Sequence, residues 1–433
     1  MSHSPPRSTP YKYLPGKDRP FDVWGERDAF KPFPGHNDGA DFSTMMKEVD
    51  VMMEKGFPLG LAFVVAEFDS NVCRQIANTF SRKADSVSWV ITGPVLIAAF
   101  PKEMFGELLL AWRQIAGDNA DVSAGVVFSD SLNGHAELLL AARIALHRAM
   151  AQSADVVILD AAETAKAVAD HRMAATMKKH LAAGGAEFEA YFQPQVDLRS
   201  GSPTGAEALA RWRPNDEVIS PSRFIPIAEE AGLIGEIGQM MFARSARTIK
   251  VLRKAGIEIP HIAVNVSPLQ SRHTNLLRMV LDILHEEKLR PCDIEIEITE
   301  SLAGSGGDDF LRWLADISSA GFQIAIDDFG TGTSTLARIR EVPANKIKLD
   351  RAFVTALPSD EDARTVCRSA LDMVHGLGKK SLAEGVENAD QASYLSSLGC
   401  ALGQGFLWGR PMVEKDLAAW WTSQAELPGG RRA

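Results

Sequence analysis

The sequence has 433 residues, of which 45% are hydrophobic and 24% are charged, and its formal net charge is -10. This length exceeds what one ordinary hydrophobic core serves, so two or three domains are expected, and the composition excludes a fibrous or wholly disordered chain. The negative charge argues against a protein that grips polymeric nucleic acid along a broad basic surface, although small anionic ligands remain open.

Residues 1–41 are predicted to form a disordered, proline-rich tail. The prolines from Pro5 to Pro34 stand among charged and small residues, and proline both fixes its backbone and lacks an N–H donor. Aromatic residues such as Tyr11 and Trp24 make this tail a candidate for docking on a protein partner. A simple flexible leader is the plainer interpretation.

Residues 42–161 are predicted to form a compact α+β domain, because helical and strand patterns alternate along them. Strands are expected at Val87–Thr92 and Val95–Phe100, hinged at Gly93–Pro94, since these two residue types mark a turn. The other predicted elements are helices near 45–55, 72–80, 105–115 and 136–150 and strands at 59–66, 123–128 and 156–159.

A helical pattern over 162–181 follows and is predicted to end at Gly184 and Gly185, where glycine suits the left-handed conformation that closes many helices. Residues 162–185 are therefore predicted to connect two domains. This connector is either a route for a signal or a plain spacer.

Residues 186–424 are predicted to form a parallel (β/α)8 barrel of the TIM type, because short apolar strands alternate with amphipathic helices. The helix at Asp309–Ser319 shows the pattern, with Gly321 just beyond its end. Residues 425–433 are assigned to a C-terminal tail. The expected strands are at 261–266, 294–298, 322–326, 347–349, 381–383 and 403–406.

Polar residues stand at the ends of these strands. A barrel of this type brings its strand ends to one rim, where active sites are built. A single acid after a strand is usually a helix cap or a solvated loop residue, but its repetition at strand after strand favours a site. The residues are Asn265, Glu297, Asp327, Asp328, Lys348, Glu384 and Gln404, and Glu207 adds a further carboxylate.

These ligands are all oxygen atoms, which favours Mg²⁺ or Mn²⁺ over Zn²⁺. Charge counting favours two ions. Five carboxylates contribute about -5, two divalent ions about +4 and Lys348 about +1, which leaves a site that can accept a phosphodiester once Arg211 adds its charge. The adjacent Asp327 and Asp328 suit two ions, because one carboxylate can bridge them while its neighbour binds the second.

The motifs of residues 188–421 resemble those of the EAL domain phosphodiesterases of bacterial cyclic di-GMP signalling. The resemblance implies Mg²⁺- or Mn²⁺-dependent hydrolysis of cyclic di-GMP to linear pGpG. It also implies, by analogy alone, a homodimer formed through this domain. The motifs are YFQPQVDL, GAEALARW, SRFIPIAEEAGLI, VNVSPLQ, EIEITES, IDDFGTG, IKLDRAFV, LAEGVE and GQGFLWGRP.

The resemblance also implies a role for each matching residue. One metal ion would be held by Glu207, Asn265, Glu297 and Asp327, and the second by Asp327 and Asp328, with Glu384 beside it. The expected catalytic residues are Lys348, Glu384 and Asp328, acting on a water between the ions. The expected substrate contacts are Gln193, Leu209, Arg211 and Gln404, and Glu300 is expected to steady the loop that follows Asp328.

The sequence departs from the family pattern in three segments. Thr333 and Thr335 stand where Tyr and Ser are usual, Arg213-Pro214 replaces a longer His-Pro step, and Gly409 replaces a frequent Ser. No expected ligand is lost. The first change falls in a loop tied to metal binding, so a slow enzyme, or a receptor that binds cyclic di-GMP without cutting it, is the alternative.

Residues 42–161 occupy the place where this family often carries a GGDEF domain, and their last part is similar to that fold. The hairpin that should carry the signature reads Ile91-Thr92-Gly93-Pro94-Val95, and Glu67 and Asp69 are the remaining candidate carboxylates. A degenerate GGDEF-like domain without cyclase activity is therefore expected. An unrelated sensor fold is the alternative.

The sequence also predicts a cytoplasmic protein without a membrane partner. Cys73, Cys292, Cys367 and Cys400 lack the paired spacing of a zinc or redox motif. No apolar stretch reaches the roughly 20 residues that a membrane span needs, and no signal pattern opens the chain.

Overall fold

The computed structural model describes residues 42–55, 59–66, 76, 79, 88–92, 95–116, 122–129, 132, 134–152, 154–270, 276–305, 307–330 and 336–425. They fall in two compact units, Met1–Ala175 and Thr176–Ala433. The predicted N-terminal tail, Gly93-Pro94, and Glu67 and Asp69 lie outside the described residues, as do most of the helix expected at 72–80 and the C-terminal tail.

The first unit is built on a five-stranded sheet in the order β2-β3-β1-β4-β5. Only β4 and β5 are parallel. The strands are β1 (Leu59–Ala66), β2 (Ser88–Thr92), β3 (Val95–Pro101), β4 (Val122–Phe128) and β5 (Val156–Leu159), and the helices are Phe42–Glu54, Phe105–Ala116 and His135–Ala151. Each described element lies within a few residues of its predicted bounds.

Both faces of this sheet are buried, which explains the apolar run in β3. Successive side chains of a strand point to opposite faces. Leu96 and Phe100 pack in one cluster with Trp112, whereas Ile97 packs in a second cluster with Leu138. The domain limits proposed from the sequence, and the likeness of this unit to a GGDEF domain, stay predictions.

The helix Ala161–Ala182 follows β5 and ends as predicted at two glycines. Gly184 and Gly185 have φ angles of 98° and 65°, in the left-handed region. Their N–H groups donate to the carbonyl oxygens of Leu181 and His180 at 3.0 and 2.8 Å, which satisfies the end of the helix.

The second unit is a closed eight-stranded barrel in the order β6-β7-β8-β9-β10-β11-β12-β13. The strands are β6 (Phe188–Asp197), β7 (Pro203–Trp212), β8 (Ile262–Asn265), β9 (Ile294–Thr299), β10 (Gln323–Phe329), β11 (Lys346–Leu349), β12 (Lys380–Ala383) and β13 (Leu402–Gln404). The TIM-type barrel predicted from the sequence is confirmed.

One strand corrects the expectation of a fully parallel barrel, because β6 is antiparallel to both β7 and β13. The physical reason is the length of the connection. Only residues 198–202 separate β6 from β7, whereas a parallel crossover needs a dozen or more residues. Asp197 closes this hairpin by accepting the Ser200 N–H at 2.7 Å, and Gly201 takes a φ of 71°.

Helices cover the outside of the barrel and bury its apolar strand residues. In the helix Asp308–Ser319 the buried residues Phe310, Leu314 and Ile317 follow helical spacing, and Gly321 lies just beyond the end with a φ of 98°. Among the described helices, none has both the length and the apolar character needed to cross a bilayer. The other helices of this unit are Pro221–Glu230, Ile234–Lys254, Leu276–Glu287, Glu300–Ser305, Leu336–Glu341, Glu361–Gly376, Ala389–Ser397 and Glu414–Ala425.

Candidate active site

Lys348 lies at the centre of the site, on β11, and its side chain is completely buried. Its ammonium nitrogen, Nζ, contacts carboxylates from four different strands or strand ends. The distances are 3.3 Å to Glu207, 2.9 Å to Glu297, 3.0 Å to Asp327 and 2.8 Å to Glu384. We call Lys348 with these four residues and Asp328 the acidic cluster.

Glu207 is held in place by two amide groups. Asn265 donates from Nδ2 to Oε1 at 2.7 Å, and Gln404 donates from Nε2 to Oε2 at 2.6 Å. The pairing of β8 with β9 also places Asn265 directly opposite Glu297, which brings a second carboxylate to the same place. The structure therefore brings together side chains that are far apart in the sequence.

Asp327 and Asp328 both belong to the acidic cluster, although neighbouring residues of a regular strand face opposite sides. The pairing of β10 with β11 shifts register between Ile326 and Phe329, and Asp328 takes a φ of 56°. The Asp328 N–H donates to Asp327 Oδ1 at 2.8 Å. This irregularity turns the second carboxylate back toward the site.

The pKa values show a surplus of negative charge around one cation. Burial raises the pKa of Glu297 well above its ordinary value, and burial likewise raises that of Glu384 to about 8, with Glu207 and Asp327 adding to both. Burial opposes ionisation of Glu207 too, but the charge of Lys348 and the amide hydrogen bonds lower its pKa. Burial disfavours the charged form of Lys348, yet the carboxylates outweigh it and raise its pKa well above the usual value.

The acidic cluster fits divalent cations. There are two sets of three residues in which one carboxylate oxygen from each residue lies within 4.8 Å of the others in its set. One set comprises Glu207, Glu297 and Asp327, and the other comprises Asp327, Asp328 and Glu384. Asp327 is common to both. Glu297 Oε1 is buried and accepts no hydrogen bond from any described residue, so it is an available ligand atom. The donor set is all oxygen, which hard divalent cations prefer.

Three of the four residues expected to contact substrate lie on β6 and β7, and the fourth, Gln404, lies at the end of β13. Leu209 and Arg211 follow Glu207 with the two-residue period of one strand face, and the Arg211 guanidinium lies 5.5 Å from the centre of the Tyr191 ring. Burial lowers the pKa of Arg211. Gln193 is buried, with its amide donating to the Gly409 carbonyl oxygen at 3.1 Å and accepting from Gln404 at 3.2 Å.

Glu300 contacts the start of the loop that follows Asp328. It is buried, and its Oε2 accepts the Gly330 N–H at 2.6 Å. Gly330 has a φ of 94°, and an added Cβ would meet the Phe353 ring at 2.1 Å. Thr333 and Thr335, the departures noted in this loop, lie outside the described residues.

Three buried polar residues of the barrel interior, below the acidic cluster, were not predicted from the sequence. Gln195, Glu295 and Lys346 are buried residues, and Lys346 donates hydrogen bonds to both of the others across the barrel interior. We call them the lower layer. The signal was the two-residue period: Glu295 and Lys346 each stand two residues before a cluster member, Glu297 and Lys348, so they face the same interior.

The fold and the site define a class: an eight-stranded barrel whose interior rim carries a polyacidic site suited to divalent cations. The family model for the EAL domain matches residues 174–411. The chain therefore belongs to the EAL domain family.

Two relatives with curated names are similar over about half of this chain. MucR of Pseudomonas aeruginosa, a bifunctional diguanylate cyclase/cyclic di-GMP phosphodiesterase, is 38% identical over 230 residues, which are 53% of this chain and 34% of MucR. RocR of the same organism, a cyclic di-GMP phosphodiesterase, is 37% identical over 230 residues, or 53% of this chain and 58% of RocR. The chain thus spans about a third of MucR and less than two thirds of RocR.

A solved structure of the PaMucR phosphodiesterase in complex with c-di-GMP is also similar. It has a TM-score of 0.54 and 36% sequence identity, and the match covers 57% of this chain and 99% of that one.

Proposed function

We propose that this chain hydrolyses cyclic di-GMP to linear pGpG with the aid of two Mg²⁺ or Mn²⁺ ions. The observation that carries the proposal is the acidic cluster, in which two carboxylate sets share Asp327 around a completely buried Lys348. Relatives more than 35% identical over this domain are named cyclic di-GMP phosphodiesterases, which supports the choice of substrate.

The charge balance of the acidic cluster supports the use of metal ions. The five carboxylates and one ammonium of the acidic cluster leave about four negative charges uncompensated if all ionise, which the site cannot hold without protons or cations. Glu207, Asn265, Glu297 and Asp327 would hold one ion, and Asp327, Asp328 and Glu384 the other. Two bound ions supply an ionised water nucleophile at neutral pH and neutralise phosphate charge.

The chain's own residues would orient the phosphodiester and stabilise its charge. Hydrolysis forms a bond from the water oxygen to phosphorus and breaks the bond from phosphorus to the ribose 3′ oxygen, which takes up a proton. Lys348 keeps its charge because its carboxylate neighbours raise its pKa, so it can stabilise the phosphoryl oxygens as negative charge develops. Arg211, at the end of β7, would pair with a phosphate oxygen.

The wider setting of this activity is also a proposal. A cytoplasmic protein, a homodimer through the barrel, a GGDEF-like front domain without cyclase activity and a protein partner for the N-terminal region are all consistent with the family. Gln193 and Leu209 remain predicted substrate contacts, and Gln404 is proposed to act on Glu207 as well.

The test is to incubate the purified chain with cyclic di-GMP and Mn²⁺ or Mg²⁺ and to separate the products by chromatography. We expect pGpG to form with either metal and to disappear when EDTA is added. Glu207→Gln should abolish turnover, whereas Glu258→Gln, which alters a side chain that is 84% exposed, should not. Tight binding of cyclic di-GMP without pGpG at high protein concentration would instead make the chain a receptor.

A further inference from the structure

A continuous chain of hydrogen bonds runs through the barrel interior from the lower layer to the acidic cluster. Lys346 donates from Nζ to Gln195 Oε1 at 3.0 Å, and Gln195 donates from Nε2 to Gln404 Oε1 at 3.0 Å. Gln404 in turn donates from Nε2 to Glu207 Oε2 at 2.6 Å. All four side chains are buried.

In this series of hydrogen bonds, which group donates and which accepts is fixed by the chemistry of the two ends, Lys346 and Glu207. A lysine ammonium can only donate hydrogen bonds, and an ionised carboxylate can only accept them. Gln195 must therefore turn its oxygen to Lys346 and its NH₂ to Gln404. Gln404 must then turn its oxygen to Gln195, which leaves its NH₂ facing Glu207.

Glu295 lets the lower layer hold a buried charge at this position. It accepts from Lys346 at 2.7 Å and is 2% exposed. The ammonium and the carboxylate cancel, so the lower layer adds no net charge beneath the acidic cluster. Its remaining influence on Glu207 is the direction of the two amides.

We infer that Lys346 and Gln195 are positioning residues for Glu207, which they reach through Gln404. They keep the Gln404 NH₂ on Glu207 Oε2 and so fix the carboxylate that begins the first proposed metal set. Gln193 accepts from the same Gln404 Nε2 at 3.2 Å and favours the same orientation, so loss of the lower-layer donor weakens the hold of the Gln404 amide on Glu207 and lets the carboxylate move from its place. The inference rests on the proposed function for its effect on turnover, but not for its effect on metal binding.

Two variants remove the donor that faces Gln404 in different ways. Gln195→Met keeps the length of the side chain and adds no charge. The double variant Gln195→Glu/Glu295→Gln keeps one carboxylate beside Lys346, but residue 195 can then only accept. Only the second variant moves a negative charge, from residue 295 to residue 195. If both variants lower the Mn²⁺ affinity alike, the cause is the direction of the amide and not the moved charge.

We expect both variants to bind Mn²⁺ roughly tenfold more weakly, as measured by isothermal titration calorimetry, because a hydrogen bond to a charged group is lost. The kcat for cyclic di-GMP should fall by a similar factor, with KM within about twofold of wild type. Lys346→Arg retains a donor-only group and should keep Mn²⁺ affinity near wild type.

Asp293→Asn is the matched control for lost stability. Asp293 is a buried carboxylate that pairs with Arg253 at 2.9 Å and not with Gln195, Lys346 or Gln404. The Asp293→Asn substitution should lower Tm without changing the Mn²⁺ affinity. If either folded donor-removing variant binds Mn²⁺ as tightly as wild type, the inference fails. If wild type itself produces no pGpG, the proposed function fails, and the calorimetry still decides the role of Gln195 and Lys346.

Discussion

The barrel interior holds two buried lysines two residues apart on β11, and their surroundings differ in charge. Lys348 contacts four carboxylates, whereas Lys346 contacts one carboxylate and one amide. The lower layer is balanced in charge, because one ammonium pairs with one carboxylate and also donates to the Gln195 amide oxygen. The acidic cluster carries a surplus of negative charge and leaves Glu297 Oε1 without a hydrogen bond from the described residues.

This difference separates a structural ion pair from a site prepared for ligands. A buried charge is tolerated when a partner cancels it and hydrogen bonds satisfy it. The lower layer meets both conditions without any further group. The acidic cluster meets neither condition unless cations or protons are bound. This is the physical reason for proposing that ligand binding and chemistry take place at the acidic cluster.

The largest expected effect comes from breaking the acidic cluster at the carboxylate that both metal sets share. Asp327→Asn should lower kcat for cyclic di-GMP by about a thousandfold or more, within the range that loss of a key electrostatic group produces. The measurement is pGpG formation at saturating Mn²⁺. Asp282→Asn, which alters a side chain that is 70% exposed, is the matched control and should stay near wild type. A kcat within tenfold of wild type would remove Asp327 from the metal site.

The second prediction breaks the lower layer. Lys346→Met leaves Glu295 buried without its partner and should reduce the free energy of unfolding by about 3–5 kcal/mol. Replacing both residues with methionine removes both charges and should restore most of that stability. Urea denaturation compares the two. A double variant as unstable as the single one would contradict the view of a balanced, mainly structural pair.

The acidic cluster could be predicted from the sequence because its polar residues stand at or near the ends of predicted strands. Each apolar run is followed by a polar residue, and the barrel fold requires those ends to meet. Two features were not predictable in the same way. The apolar pattern of β6 does not indicate whether this strand is parallel or antiparallel to its neighbours. The short link to β7 does indicate it, because so few residues can join only antiparallel strands. The turn of Asp328 into the site depends on a register shift that only the paired strands reveal.

The lower layer was missed for a different reason. A lysine or glutamate inside a strand pattern is usually taken as facing solvent, because burying its charge is costly. Glu295 and Lys346 are exceptions that the sequence separates by 51 positions and the barrel brings within 2.7 Å. Only the two-residue offset from Glu297 and Lys348 pointed to the interior.

The third prediction concerns His261, which lies near the lower layer with its Nε2 at 3.8 Å from Glu295. Burial, with smaller contributions from Lys346 and Lys380, lowers the pKa of His261 to about 4 against the opposing charge of Glu295. Between pH 6.5 and 4 the unfolded chain takes up a proton that the folded chain does not. Stability should therefore fall as pH decreases through this window, by at most about 3 kcal/mol from this group.

His261→Gln removes this titration and should flatten the slope of unfolding free energy against pH between 6.5 and 4. Urea denaturation at several pH values measures it. Above pH 7 both proteins should show the same pH dependence, because the histidine is neutral in the folded and unfolded states. An unchanged slope in the variant would show that His261 does not contribute.

The smallest expected effect is stabilisation of the acidic cluster by metal in the absence of substrate. Binding to the folded state alone adds about 1.4 kcal/mol at a free Mn²⁺ concentration ten times Kd. Tm should therefore rise with Mn²⁺ in wild type, and the rise should be lost in Asp327→Asn. In the double methionine variant at positions 295 and 346 the rise should remain but be smaller at the same Mn²⁺ concentration, because the lower layer supplies no metal ligand but Lys346 helps to orient Gln404 toward Glu207. Equal stabilisation of wild type and Asp327→Asn would place the ion elsewhere and remove the distinction between the two lysine environments.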